Sequence, residues 1–353
     1  MDDPIADAEA LIAAGNAQQA AADLRARLAA GRGGALARIT LVKALLASGE
    51  TDAALEEARQ AVALNPDVPQ VITALGEGLL QKENLPLAIA EFQRALRLDP
   101  EYAPARLLAG RAWLQAGEAD KALEYFEALE PSGERDAMIA RAHSIKTAHR
   151  SDPGYVRHLF DQFAVDYDQR MTGPLSYAAP QILAALADLV MPGREHISVL
   201  DLGCGTGLAG QAFHARAARM DGVDLSPAMI AKARARNIYD TLVVADLESA
   251  LVAQGDAYDL ILAADTLVYL GDLRSLFGHV ARRLAPDGYF LFTTEKAGQG
   301  YELGPKRRWR HSEAYLREMA AAAGLNVAGM MDAAPRTEAG QPVPGLAVAL
   351  HRA

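Results

Sequence analysis

Small apolar residues set the rhythm of the first 130 positions. Ala20, Ala54, Ala88 and Ala122 stand 34 residues apart. Gly15, Gly49 and Gly117 move in the same step, with Glu83 as the departure. Leu64-Asn-Pro66 returns as Leu98-Asp-Pro100, Phe92 as Phe126 and Gly76 as Gly110. Such a period belongs to a stacked supersecondary unit. Small residues suit the close crossing of two antiparallel helices, a glycine suits the turn between them, and proline stops the second helix. The pattern predicts a degenerate opening unit over 4–32 and three fuller hairpins over about 35–68, 69–102 and 103–130. Pro131-Ser-Gly133 ends the array, 134–150 reads as one more helix, and Ser151 to Gly154 as a linker. The expected domains are therefore 1–133, a connector over 134–154, and 155–353.

Beyond residue 155 the pattern changes twice. Val156, Phe160, Phe163 and Tyr167 lie at helical spacings and make one apolar face. After the apolar helix 178–190, short apolar runs alternate with amphipathic stretches. The runs 197–202, 220–224, 242–247, 259–265, 289–294, 325–332 and 346–351 read as strands, while 208–219, 273–284 and 313–323 read as helices. Strands alternating with helices predict an α/β domain with a mainly parallel sheet.

The run at 197–202 leads into Val199-Leu-Asp-Leu-Gly-Cys-Gly-Thr-Gly207. Glycines at a strand-to-helix turn let a ligand lie against the main chain. Gly205-Thr-Gly207-Leu-Ala-Gly210 also fits the dinucleotide pattern G-x-G-x-x-G, which alone is weak. Asp201 favours another ligand, because a carboxylate there would face a cation or amine and repel a pyrophosphate. Asp224 and Asp246 end the next two strands, and a carboxylate at such a place accepts hydrogen bonds from ribose hydroxyls. Three acids at successive strand ends suit a positively charged sulfonium.

Composition narrows the classes. The 353 residues suit two domains, and 51% hydrophobic with 23% charged residues is globular. A net charge of −10 argues against a nucleic-acid surface covering the molecule. Cys204 is the single cysteine, which excludes an internal disulfide and fits a reducing compartment. An acidic start and the lack of any apolar run of about 18 residues lead to the expectation of a cytoplasmic protein with no membrane partner. The eight histidines are dispersed, so no metal is expected.

The string from Val199 to Gly207, with the acids that follow, resembles the class I S-adenosylmethionine-dependent methyltransferases. The 34-residue repeat resembles the tetratricopeptide repeat, although Arg38, Ile72 and Arg106 stand where a large aromatic residue is usual. Arg310-His-Ser-Glu-Ala-Tyr-Leu-Arg317 resembles a stretch of bacterial methyltransferases with such repeats. The resemblance implies a helical solenoid followed by a Rossmann-like domain, with a mostly parallel seven-stranded sheet whose last strand is antiparallel. It implies S-adenosyl-L-methionine as cofactor. Asp201, Gly203, Gly205 and Gly207 would hold its amino-acid end, Asp224 the ribose, and Asp246 with Leu247 the adenine. Leu225 and Met229 would adjoin the adenine, while Tyr167 and Tyr177 would contact the ligand from the aromatic segment.

The transferred methyl group meets its acceptor after the fourth strand in this fold, at Asp265, Thr266 and Tyr269. Asp-Thr-Leu-Val replaces the Asn/Asp-Pro-Pro-Tyr/Phe of enzymes acting on amide or base nitrogens, which removes support for nucleic-acid and glutamine methylation. Asp265, Tyr269 and His311 are the candidate proton acceptors, and Arg310 and Tyr269 the candidate substrate contacts. The run Lys306, Arg307, Arg308, Arg310, His311 reads equally as a substrate loop or as a solvated one. A small molecule with an O or N nucleophile is the first expected acceptor. The alternatives are a protein delivered by the repeats, or a non-catalytic adaptor whose Rossmann-like domain merely binds cofactor or stabilises the repeats. The array would bind a partner or form a homodimer.

Overall fold

A computed structural model describes residues 3–173, 175–253 and 255–352. The chain divides into two compact units at Thr147/Ala148. The first consists of helical hairpins. Its helices are α1 (Pro4–Ala13), α2 (Ala17–Ala29), α3 (Ala35–Ala47), α4 (Thr51–Leu64), α5 (Pro69–Gln81), α6 (Leu85–Leu98), α7 (Ala103–Gln115), α8 (Ala119–Glu127) and α9 (Gly133–Thr147).

Helix α6 shows how the repeat is built. Asn84 caps it, accepting the Leu87 N–H, and Pro86 stands in its first turn. Leu85, Ala88, Ile89, Phe92 and Ala95 form its buried stripe. The Phe92 ring lies on Gly76 of α5, so closely that a Cβ there would come within 2.5 Å of it. Phe126 of α8 meets Gly110 of α7 in the same way, at 2.4 Å. The recurring glycine and phenylalanine are thus two halves of one contact. Gly15, Gly49 and Gly117 turn the chain at φ +81°, +81° and +72°, and Glu83 adopts φ 57° at the equivalent turn despite its side chain. Helix α9 belongs to the first unit, because Ala142 is buried with Met138, Ile139 and Ile145 against Leu123 and Phe126.

The second unit opens with α10 (Pro153–Phe163), α11 (Tyr167–Thr172) and α12 (Ala179–Val190). Strands and helices then alternate: β1 (Ile197–Leu202), α13 (Leu208–Phe213), β2 (Ala217–Asp224), α14 (Pro227–Ala235), β3 (Thr241–Val244), α15 (Leu247–Val252), β4 (Tyr258–Ala263), α16 (Arg274–Arg283) and β5 (Leu284–Lys296). The chain continues through β6 (Tyr301–Leu303), β7 (Trp309–His311), α17 (Glu313–Ala322), β8 (Asn326–Ala333), β9 (Thr337–Glu338), β10 (Gln341–Pro342) and β11 (Gly345–His351).

The main strand order is β3-β2-β1-β4-β5-β11-β8, with β11 antiparallel to both neighbours. Alternate residues bury opposite faces of this sheet, as the pleat requires. Leu260, Leu262, Leu291, Ala347 and Ala349 pack with α12 and α13. Ile261, Ala263, Phe290, Phe292 and Val348 pack with α15, α16 and α17.

The alternation of elements matches the expected one, with differences in detail. Helices α14 and α15 are not among the expected helices, β3 ends at Val244, and β5 starts at Leu284 and runs through the expected turn at 286–288. The first crossover helix ends at Phe213, so β2 starts three residues before Met220. The basic stretch after residue 300 is partly strand: β7 runs parallel to the end of β5, and β6 pairs with β7. No helix of the described residues is long and apolar enough to cross a membrane, and no cluster of metal-ligating side chains occurs among them.

Candidate functional site

The carboxyl ends of β1, β2 and β4 open on a cavity, where open α/β sheets bind ligands. After β1 the chain turns through Gly203, Gly205 and Gly207 at φ +70°, +54° and +92°. They differ in surroundings. A Cβ on Gly203 would strike Thr266 at 2.5 Å, and one on Gly207 would crowd Arg236 and Tyr239 at 3.0 Å. A Cβ on Gly205 would meet nothing within 4 Å. Gly205 is therefore the bare stretch of main chain that a ligand can approach.

Asp224 anchors this turn. One carboxylate oxygen accepts the Gly205 N–H at 2.9 Å, the other the Ser226 N–H at 2.8 Å. Burial pushes its pKa up, and the two N–H donors pull it back. With the Leu225 N–H also acting on it, the carboxylate still has accepting capacity for a ligand. Leu225, Asp246 and Leu247 line the same wall. Asp246 caps α15, accepting the Glu248 N–H at 3.1 Å, and is ion-paired with Arg150, which also reaches Glu248 at 3.0 Å. Ala264, Asp265, Thr266 and Tyr269 form the opposite wall.

The aromatic segment closes the cavity. Phe160 and Tyr167 line it, and Phe160 meets Tyr167 and Tyr269 edge-on at 6.2 and 5.5 Å. Two carboxylates fasten this segment to the glycine turn and its neighbour. Asp168 accepts from the Thr206 hydroxyl and from Arg236, and Asp161 accepts from the Ser226 hydroxyl and the Ala228 N–H.

Behind Phe160, Tyr167, Asp265 and Tyr269 lies a second chamber. Phe163, Arg170 and Met171 form one side, Lys306, Arg308, Arg336 and Glu338 the other. Arg336 is almost fully buried and donates to Asp265 at 2.5 Å, to Glu295, and to Glu338 at 3.2 Å. Asp265 itself sits at φ 56°, an uncommon conformation for a non-glycine residue and one found at working sites. Burial pushes its pKa up, and Arg336 and Arg308 oppose that rise. The phenols keep their protons: burial drives Tyr269 up to about 12 and Tyr167 higher still.

Of the residues singled out from sequence, Gly203, Gly205, Asp224, Leu225, Asp246, Leu247, Tyr167, Asp265 and Tyr269 line this cavity. Others do not. Asp201 is fully buried behind the turn, where it accepts the Tyr239 hydroxyl at 2.7 Å and burial raises its pKa to about 6. One of its oxygens thus braces the loop, and the side chain does not line the cavity. Gly207 is packed against side chains at the start of α13, and Met229 is wholly buried. The Tyr177 hydroxyl donates to the Ala264 carbonyl at 3.2 Å. Arg310 turns to Glu295 at 3.3 Å, outside both chambers.

His311 is no base for this site. Its side chain is fully buried on β7, with Nδ1 2.6 Å from the Thr294 hydroxyl and Nε2 3.0 Å from the Gly271 carbonyl. That network suits a neutral ring that accepts at Nδ1 and donates from Nε2. Burial lowers its pKa to about 4. The unfolded chain, with a histidine near 6.5, takes up the proton first, so stability falls as pH drops from about 6.5 toward 4. His311→Gln should remove this dependence: between pH 7 and 5 it should lose roughly 2 kcal/mol less than the parent in urea unfolding. Equal losses would show that His311 does not titrate in this way.

Arg308 and Arg336 were not singled out for the site. A basic run offered Arg308 without distinguishing it from its neighbours. Arg336 carries no local signal, since its partners lie up to 71 residues away.

Comparison with known proteins adds three findings. Residues 174–328 match the profile of a methyltransferase domain, and residues 35–78 and 73–137 match tetratricopeptide repeat profiles. Malonyl-[acyl-carrier protein] O-methyltransferase from Salmonella typhimurium is 31% identical over 137 residues, 37% of this chain and 53% of that one. Trans-aconitate 2-methyltransferase from Escherichia coli O1:K1 is 40% identical over 117 residues, 32% of this chain and 46% of that one. The chain thus spans about half the length of these relatives. Among solved structures, magnesium protoporphyrin IX methyltransferase from Synechocystis PCC 6803 with bound SAM is similar at a TM-score of 0.45 and 18% identity, covering 59% of this chain and 100% of that one.

Proposed function

We propose that this chain, which carries a methyltransferase domain behind tetratricopeptide repeats, transfers a methyl group from S-adenosyl-L-methionine to a nucleophile of a small molecule. One observation carries the reading. The bare main chain at Gly205 and the Asp224 carboxylate that accepts its N–H share one cavity at the strand ends. An acid in that wall suits a ribose and disfavours a phosphate.

The bound cofactor supplies a methyl group already activated on a sulfonium. The protein's own work is to position, to exclude water and to hold charge. Asp224 accepts the ribose hydroxyls. Leu225 and Leu247 offer apolar walls to the adenine, with Asp246 beside its amine. Gly203 and Gly205 let the amino-acid end lie along the turn. Phe160, Tyr167 and Tyr269 stand between the two chambers, so their faces are available to the sulfonium, an attraction of about 0.5–2 kcal/mol. The acceptor enters from the second chamber. The repeat array serves a protein partner or a second copy, a role supported by the exposed Leu36, Leu64, Leu87 and Leu98 on its helices.

Calorimetric titration of the full chain with S-adenosylmethionine, S-adenosylhomocysteine and NADH tests the reading. The first two should bind and the third should not. Binding of NADH alone would overturn the assignment, and silence from all three would leave an adaptor.

A further inference from the structure

We infer that the methyl acceptor is a carboxylate, received in the second chamber by Arg308 together with the Tyr167 and Tyr269 hydroxyls. The inference rests on the methyl-transfer reading and names the substrate class of that site.

Three observations lead to it. The first is a cation short of hydrogen bonds. Arg308 lines the second chamber, yet its buried Nη1 has no hydrogen-bond partner. The nearest carboxylates, Asp265 and Glu295, stand at 3.8 and 4.0 Å, beyond hydrogen-bonding reach. A buried guanidinium N–H left without a partner is costly, so an acceptor atom is wanted there.

The second is the charge count around it. Lys306, Arg308, Arg310 and Arg336 are interlaced with Asp265, Glu295 and Glu338. Arg336 saturates itself on all three carboxylates, Lys306 takes Glu338 and Arg310 takes Glu295. The cluster holds one cation more than it holds carboxylates, and Arg308 is the one that reaches them only at 3.8 and 4.0 Å. A singly charged anion balances that excess.

The third is the set of neutral donors. Tyr167 and Tyr269 line the same chamber, and among the described residues neither hydroxyl has a hydrogen-bond partner. The Arg308 charge acts on both phenols. Protonated phenols donate, and a planar guanidinium fits a carboxylate in two-pronged fashion. Phe160 and Phe163 complete an aromatic wall that suits an apolar body behind the anion.

The chemistry balances without a base. A carboxylic acid is already ionised at neutral pH. One carboxylate oxygen forms a bond to the methyl carbon as the carbon–sulfur bond breaks, and that bonding pair stays on sulfur. The products are a methyl ester and neutral S-adenosylhomocysteine, with no proton to move. This accords with a site whose carboxylate at Asp265 is held by arginines and whose histidine, His311, is sealed away.

Calorimetry on the full chain saturated with S-adenosylhomocysteine tests the proposal, with phenylacetate and 3-phenylpropionate as probes against phenylacetamide and phenyl phosphate. At least one acid should bind ten times or more tighter than the amide and the phosphate. Arg308→Met should weaken the acid at least tenfold, Arg308→Lys should restore part of it, and both variants should keep S-adenosylhomocysteine affinity, which also reports that they fold. Acids that bind no better than the amide, that do not bind at all, or that ignore Arg308→Met overturn the proposal, as does tighter binding of phenyl phosphate. Failure of S-adenosylhomocysteine itself to bind would instead sink the methyl-transfer reading beneath it.

Discussion

Asp224→Ala should weaken S-adenosylhomocysteine binding by roughly 1.5–3 kcal/mol, on the order of ten- to a hundredfold, as expected for loss of a charge-assisted hydrogen-bonding group. Two losses combine. The carboxylate would no longer accept the ribose hydroxyls, and the Gly205 and Ser226 N–H groups would lose their buried acceptor. Asp224→Asn separates them. An amide keeps one oxygen for a backbone N–H and removes the charge, so its affinity should fall between those of the parent and the alanine variant. Equal losses in the two variants would make the charge the whole effect. Titration calorimetry reads all three proteins, and unchanged affinity in Asp224→Ala would remove this residue from the site.

The features legible in the sequence were those carried by neighbours in the chain. The glycine turn after β1 shows itself because a positive φ, a bare main chain and a following helix each leave a residue type in a fixed order. The acid at 224 shows itself because a strand end is one helix and one strand away. Repeats show themselves for a related reason. Gly76 and Phe92 touch, and the same contact recurs 34 residues on as Gly110 and Phe126, so a tertiary fact is printed as a period. Asp201 marks the limit of this reasoning. Its position at a strand end suits a ligand contact, but the side chain lies behind the cavity lining, where the Tyr239 hydroxyl, 38 residues away, donates to one carboxylate oxygen.

What could not be read was where the basic run at 306–311 would point. Only 309–311 of that run become a strand, and this β7 pairs with the end of β5. Pairing turns His311 into the interior against Thr294, and leaves Arg310 on Glu295. A charged loop and a short strand beside a buried ion cluster have the same composition. Only the partners distinguish them, and the most central of those, Arg336, lies on a connection with no periodic pattern.

That residue carries the largest expected effect on stability. Arg336→Met should cost roughly 3–5 kcal/mol in urea or thermal unfolding, the range for removing one partner of a buried ion pair. Arg336 is 1% exposed, and its guanidinium is the common donor to Asp265, Glu295 and Glu338. Methionine fills much of the volume, so the cost comes from carboxylates that lose their hydrogen-bonded guanidinium rather than from a cavity. This origin fixes the pH dependence. Burial already holds the Asp265 pKa above its ordinary value, with Arg336 the largest opposing influence. Without Arg336 the folded-state pKa rises further, while the unfolded chain keeps values near 4. The folded variant then binds protons that the unfolded chain does not, so its stability rises as pH falls toward 4. The gap to the parent should therefore narrow between pH 8 and pH 5. Asp265→Asn in the Arg336→Met background should recover part of the loss, because it removes one stranded charge. A gap that stays constant with pH would mean that the loss arises from packing, and that Arg336 does not hold these carboxylates by its charge.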